Sequence, residues 1–103
     1  MVTLCIRYTI DHYKVADFET YARNWPEPIK RCGGELLGYF IPTKLAGPTN
    51  EALALIRFPD LTAYEKYRAR LAKDPDAIAN VKHAETSGCI VLENRSFLQK
   101  VPE

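Results

Sequence analysis

The chain is short of the features that announce a chemistry. Among its 103 residues are two histidines, one tryptophan, one methionine, five glycines and three cysteines. It contains no G-x-G-x-x-G, no P-loop, no H-E-x-x-H and no G-x-S-x-G, which removes the usual dinucleotide, phosphate, zinc-protease and serine-hydrolase readings. Charge of one sign is missing too: fourteen Lys plus Arg stand against thirteen Asp plus Glu, a formal net charge of +1. No broad positive field exists to hold a phosphate backbone, so nucleic acid is not an expected partner. No run approaches the roughly 20 apolar residues of a bilayer span, and no basic segment precedes an apolar one at the N-terminus. A cytoplasmic protein without a membrane span is expected. Cys5, Cys32 and Cys89 are odd in number and lack C-x-x-C spacing, which fits reduced, buried thiols better than disulfides or zinc. Neither a metal nor a cofactor is expected.

What is present is periodicity. Residues 2–10 carry Val2, Leu4, Ile6, Tyr8 and Ile10 on a period of two, a strand signal. The period then changes: Phe18, Tyr21, Ala22, Trp25, Ile29 and Cys32 recur at three- and four-residue steps, a helical stripe. Pro26 and Pro28 interrupt it, so the helix is expected to kink or restart near Trp25. Gly33-Gly34 supplies the stop. Two strands follow, over 35–43 and 51–58, joined by the turn Gly47-Pro48-Thr49-Asn50, read as a hinge that could also sit at a pocket rim. A second helix opens at Asp60 or Thr62 with the stripe Leu61, Tyr64, Tyr67 and Leu71. Asp74-Pro75 restarts a short helix expected to turn Ile78 and Val81 inward. A last strand is expected over 89–97.

The order β-α-β-β-α-β predicts an α+β fold of ferredoxin-like type over residues 1–103, one domain: an antiparallel sheet with both helices on one face. Yet Leu36-Leu37, residues 53–56 and residues 89–92 place apolar groups on both faces of that sheet. The helices serve one side only, so a second copy is the expected cover for the other, giving a homodimer.

Several stretches in order, Gly34-x-Leu36-Leu37-Gly38-Tyr39-Phe40, Gly47-Pro48-Thr49-Asn50-Glu51, Arg57-Phe58-x-Asp60-Leu61, Asp74-Pro75 and Glu93-Asn94-Arg95, resemble the NIPSNAP family. The resemblance implies a dimeric α+β barrel, in which two ferredoxin-like sheets pack together, and leaves activity undefined. It also marks departures. Ile6 stands where the family is expected to carry Arg, Ala54 and Ile56 where it has His and Trp, and Leu92 where Gln precedes Glu-Asn-Arg. Chemistry assigned to those groups does not carry over.

The candidate ligand-binding residues are Tyr8, Trp25, Tyr39, Arg57, Phe58 and His83; no catalytic residue is assigned. Tyr8, Trp25, Tyr39 and Phe58 either line a cavity between helix and sheet or are plain core. Arg57 is either a structural ion pair with Asp60 or Glu93 or an anion clamp. His83 either sits at a helix C-terminus for the dipole's sake or moves protons; His12 reads as a solvated turn residue. Glu93 and Arg95 share a strand face and are expected to satisfy partners at a dimer seam. The first functional reading is a homodimeric barrel that binds a small apolar molecule or a partner. The alternatives are a cofactor-independent monooxygenase or isomerase, with Tyr8, Tyr39 or His83 moving protons on a substrate held by Arg57, and a purely structural dimer.

Overall fold

The computed structural model describes residues 1–102. Its elements run β1 (Val2–Ile10), α1 (Val15–Arg23), α2 (Pro26–Cys32), β2 (Glu35–Phe40), β3 (Glu51–Phe58), α3 (Leu61–Leu71), α4 (Pro75–Ser87) and β4 (Ile90–Leu98). The four strands form one antiparallel sheet in the order β2-β3-β1-β4, the ferredoxin-like α+β arrangement that the sequence periodicity predicts.

Local chemistry sets the boundaries. The first helical stripe breaks at Trp25, and α2 restarts with Pro26 in its first turn, where a missing amide costs nothing. Gly33 ends α2 in the left-handed region at φ 106°, a conformation that a side chain disfavours. Asp60, rather than Thr62, caps α3 by accepting from the Ala63 amide at 2.8 Å. Asp74 caps α4 by accepting from the amides of Asp76 and Ala77, both at 3.0 Å. Strand β2 ends at Phe40, earlier than the expected residue 43, so the Gly47–Asn50 turn belongs to a longer loop over residues 41–50.

The register assigns the two faces. Leu4, Ile6, Tyr8 and Ile10 of β1, with Ala52, Ala54, Ile56 and Phe58 of β3, are buried beneath the helices. Phe18, Tyr21, Ile29 and Cys32 close this core from α1 and α2. The other face carries Leu53, Leu55, Phe40, Leu92 and Leu98. Leu36-Leu37 does not place apolar groups on both faces by simple alternation: the β2–β3 register shifts between Leu36 and Gly38, so Leu37 is the extra residue of a bulge and is exposed.

Two helical expectations are corrected. Ile78 and Val81 are 53% and 44% exposed, and Leu61 is exposed as well; the buried residues of α4 are Ala77 and Asn80. Asn80 takes a core position because both ends of its amide are used. Its Nδ2 donates to the Tyr21 carbonyl at 2.8 Å and its Oδ1 accepts from Asn24 at 3.2 Å, which ties α4 to the C-terminal end of α1. All three cysteines are buried and free.

Candidate functional site

Between the sheet and the helices lies a cavity of about 750 Å³. Its floor is the apolar face of the sheet, with Leu4, Ile6 and Ile56, and Ile29 of α2 beside them. Its outer wall is α3 and α4, where the half-exposed Ile78 and Val81 line the opening to solvent. These two residues are exposed because α4 stands over a void instead of packing on the sheet. Ile6 and Ile56, two of the departures from the NIPSNAP pattern, make the floor apolar.

One end of the cavity is built from tyrosines. Tyr8 on β1 and Tyr39 on β2 share a hydrogen bond of 3.1 Å between hydroxyls, and their rings stack at 6.1 Å. Tyr21 and Phe18 of α1 meet Tyr8 edge-on at 6.3 and 5.0 Å. Burial pushes the Tyr8 and Tyr39 hydroxyls far above the usual tyrosine range, with neighbouring tyrosines adding to it. Burial raises Tyr21 as well, against a smaller lowering from the Trp25 indole beside it. All three are therefore neutral donors at physiological pH. Trp25 packs edge-on against Tyr21 at 5.6 Å. Its contact with the Tyr21 hydroxyl lacks hydrogen-bond geometry, and its Nε1 is a buried donor with no partner among the described residues.

The β4 side of the cavity carries charge. On β4, Glu93 is in register with Tyr8 and Arg95 with Ile6, so both side chains are on the cavity side of the sheet. They form an ion pair of 3.0 Å, with 29% and 36% of their side chains exposed. Desolvation pulls the Arg95 guanidinium down, but the Glu93 carboxylate and the Tyr64 hydroxyl outweigh it and hold the group above its ordinary value. Arg68, Lys82 and Glu85 complete the charged lining from α3 and α4. The expectation that Glu93 and Arg95 serve a dimer seam is corrected by this register: they pair with each other over the cavity.

The structure thus brings Tyr8, Trp25 and Tyr39 to one cavity and leaves three candidates outside its lining. Arg57 is on the opposite face of the sheet, in register with Glu35, and grips that carboxylate through two hydrogen bonds of 2.9 and 2.8 Å. Neither Asp60 nor Glu93 is its partner, because antiparallel pairing sets β2 against it. Phe58 is fully buried between Tyr64 and Tyr67, at 5.3 and 4.8 Å. His83 donates from Nε2–H to the Asp17 backbone carbonyl at 3.0 Å; it joins α4 to α1. The Gly47–Asn50 turn also lies outside the cavity lining.

Sequence reasoning passed over Tyr21, Tyr67, Arg68 and Arg95 as cavity residues. For Arg95 alone a signal was available: it alternates with Glu93 and Phe97 on one strand face, the face that pairs with Tyr8, Ile6 and Leu4. Among the described residues no group of three or more His, Cys, Asp or Glu side chains could hold a metal ion, and no helix is long and apolar enough to cross a membrane.

The architecture recurs in solved structures. A NIPSNAP family protein of unknown function from Agrobacterium tumefaciens is 23% identical, with 95% of this chain and 86% of that one covered at a TM-score of 0.80. An uncharacterized NIPSNAP domain protein from Burkholderia xenovorans is 21% identical, covering 98% and 95% at 0.78. SnoaB, a cofactor-independent oxygenase from Streptomyces nogalater, shares the fold at 16% identity, 99% and 94% coverage and a TM-score of 0.67. No curated protein matches. The fold is therefore common to oxygenases and to proteins without an assigned activity, and it specifies no reaction. The NIPSNAP family model matches residues 3–103, and the chain belongs to the NIPSNAP family.

Proposed function

We propose that this chain acts in the cytoplasm as a homodimeric α+β barrel that binds a small, mainly apolar molecule in the cavity between sheet and helices. The observation that carries the reading is the cavity itself: about 750 Å³ over a floor of Leu4, Ile6, Ile29 and Ile56, with hydroxyl donors at one end. Pockets that hold small ligands have this composition, apolar walls with a few convergent polar groups. The dimer rests on the other face of the sheet, where Phe40, Leu92 and Leu98 are 52%, 54% and 44% exposed. Exposed large apolar side chains on a sheet face that no helix covers support an interaction site there, and a face-to-face sheet pair of ordinary size buries roughly 1,600 Å².

Binding is favoured over proton-transfer catalysis by the state of the groups that catalysis needs. Tyr8 and Tyr39 are held protonated by burial, His83 is engaged by the Asp17 carbonyl, and Arg57 is on the far face with Glu35. A purely structural dimer has no use for the cavity.

Two measurements test the reading. A thermal-shift screen of apolar metabolites and lipids should find compounds that raise the melting temperature, since a ligand selective for the folded form stabilises it by about 2.7 kcal/mol at a hundredfold excess over its Kd. A screen that leaves the melt unmoved removes the binding function. Sedimentation at micromolar concentration should show dimers for the wild type and monomers for the Phe40→Glu, Leu92→Glu double variant. A folded wild-type monomer removes the dimer.

A further inference from the structure

The polar groups of the cavity are segregated, and their segregation specifies more about the ligand than its greasiness. Glu93 sits at the tyrosine end, where its charge bears on the hydroxyls of Tyr8, Tyr21 and Tyr39. Arg95, two residues on, points toward α3, where the Tyr67 hydroxyl feels both its positive charge and that of Arg68. Tyr67 is 3% exposed, lines the cavity, and its hydroxyl has no hydrogen-bond partner among the described residues. The hydroxyl reaches the solvent of the cavity and is free to donate to a bound acceptor; the buried polar side-chain atom left without a partner among the described residues is Trp25 Nε1.

The charge count at the lining is equally specific. Arg68, Arg95 and Lys82 oppose Glu85 and Glu93, three positive against two negative, which leaves one positive charge. Arg95 uses its Nε on Glu93 and has the Tyr64 hydroxyl beside it, which leaves donor N–H groups of the guanidinium to face an anion. A singly charged carboxylate matches both the surplus and the flat donor edge of a guanidinium; a dianionic phosphate would overshoot it.

We propose that the molecule bound in this cavity is an apolar carboxylate, its anionic end held by Arg95, Arg68 and the Tyr67 hydroxyl and its apolar body laid over Ile6, Ile29 and Ile56. The proposal rests on the cavity-binding function above and narrows it. Glu93 sets the direction: it repels a carboxylate from the tyrosine end, so the ligand enters with its charge toward α3.

The test compares 2-naphthoate with its neutral isostere 2-naphthamide on the full chain, by calorimetry and by following the indole N–H signal of Trp25, the single tryptophan and a cavity residue. Both compounds should move that signal, and naphthoate should bind about tenfold more tightly, the usual worth of hydrogen bonds to a charged group. Half-molar salt should narrow the gap. Arg68→Met and, separately, Arg95→Met should each weaken naphthoate about three- to tenfold and leave naphthamide unchanged. Arg68 is exposed, so its variant keeps the comparison valid if loss of Arg95 disturbs Glu93. Equal affinities in the wild type overturn the proposal, as does a preference for naphthoate that survives both substitutions. If naphthamide binds and naphthoate binds no better, the cavity function stands and its anionic specificity falls. If neither compound binds, both fall.

Discussion

The hydroxyls of Tyr8 and Tyr39 meet at 3.1 Å although their strands are not neighbours. Strand β3 runs between them, and the residues it presents there are Ala52, in register with Tyr8, and Ala54, in register with Tyr39. Two small side chains leave the space in which rings from β1 and β2 stack over a third strand.

Ala54→Leu should therefore be destabilising, because Ala54 is fully buried and added volume in a packed core costs about 1–3 kcal/mol. Urea unfolding measures it, with Tyr39→Phe as a milder companion that removes one hydroxyl and costs about 0.5–1.5 kcal/mol. An Ala54→Leu protein as stable as the wild type would mean that the tyrosine end is loosely packed.

Gly34 is hemmed in by the cavity's own walls. A Cβ there would meet Ile29 Cγ2 at 2.9 Å, Ile56 Cγ2 at 3.1 Å and the Tyr67 ring at 3.2 Å. The methyls branch directly from their Cβ atoms and cannot swing aside. Gly34→Ala should lower stability by about 1–3 kcal/mol, and it should also weaken whatever the cavity binds, since all three neighbours line it. Thermal unfolding and ligand titration on one preparation check the pair of effects; a neutral change in both contradicts the packing described.

Asp74 ties α4 to α2. Its carboxylate accepts from Arg31 at 2.8 and 2.9 Å and from two amides at the start of α4. The Arg31 hydrogen bonds, followed by that from Ala77, lower its pKa to about 2, against roughly 3.9 for an unfolded aspartate. A folded pKa below the unfolded one means stability that is complete above about pH 4 and is lost as pH falls toward 2. Asp74→Asn, which keeps a capping oxygen, should be less stable than wild type at neutral pH and should lose less between pH 4 and 2. Parallel acid limbs for the two proteins would count against the linkage.

Arg57 and Glu35 face each other across β2 and β3 with 37% and 55% of their side chains exposed. Such a pair is worth at most about 1 kcal/mol. Arg57→Ala should thus change monomer-fold stability by no more than that, and it should leave cavity binding untouched because the side chain is on the opposite face of the sheet. A large loss of ligand affinity in this variant would place the binding site elsewhere.

The amino-acid sequence by itself determined the element order, the break at Trp25, the glycine stop at Gly33 and the Asp74-Pro75 restart. These are written in near neighbours: a period of two or of three to four, a missing amide at proline, a carboxylate beside free helix amides. Tertiary structure alone decided which arginine lines the cavity. Arg57 and Arg95 each stand on a strand with apolar neighbours, and only the pairing register turns one to Glu35 on the far face and sets the other beside Glu93 on the cavity face. It also decided the exposure of Ile78 and Val81, whose helical spacing is that of a core stripe but whose helix spans a void. Periodicity says which side chains share a face; what that face meets depends on the distance between layers, and that is set by residues far away in the chain.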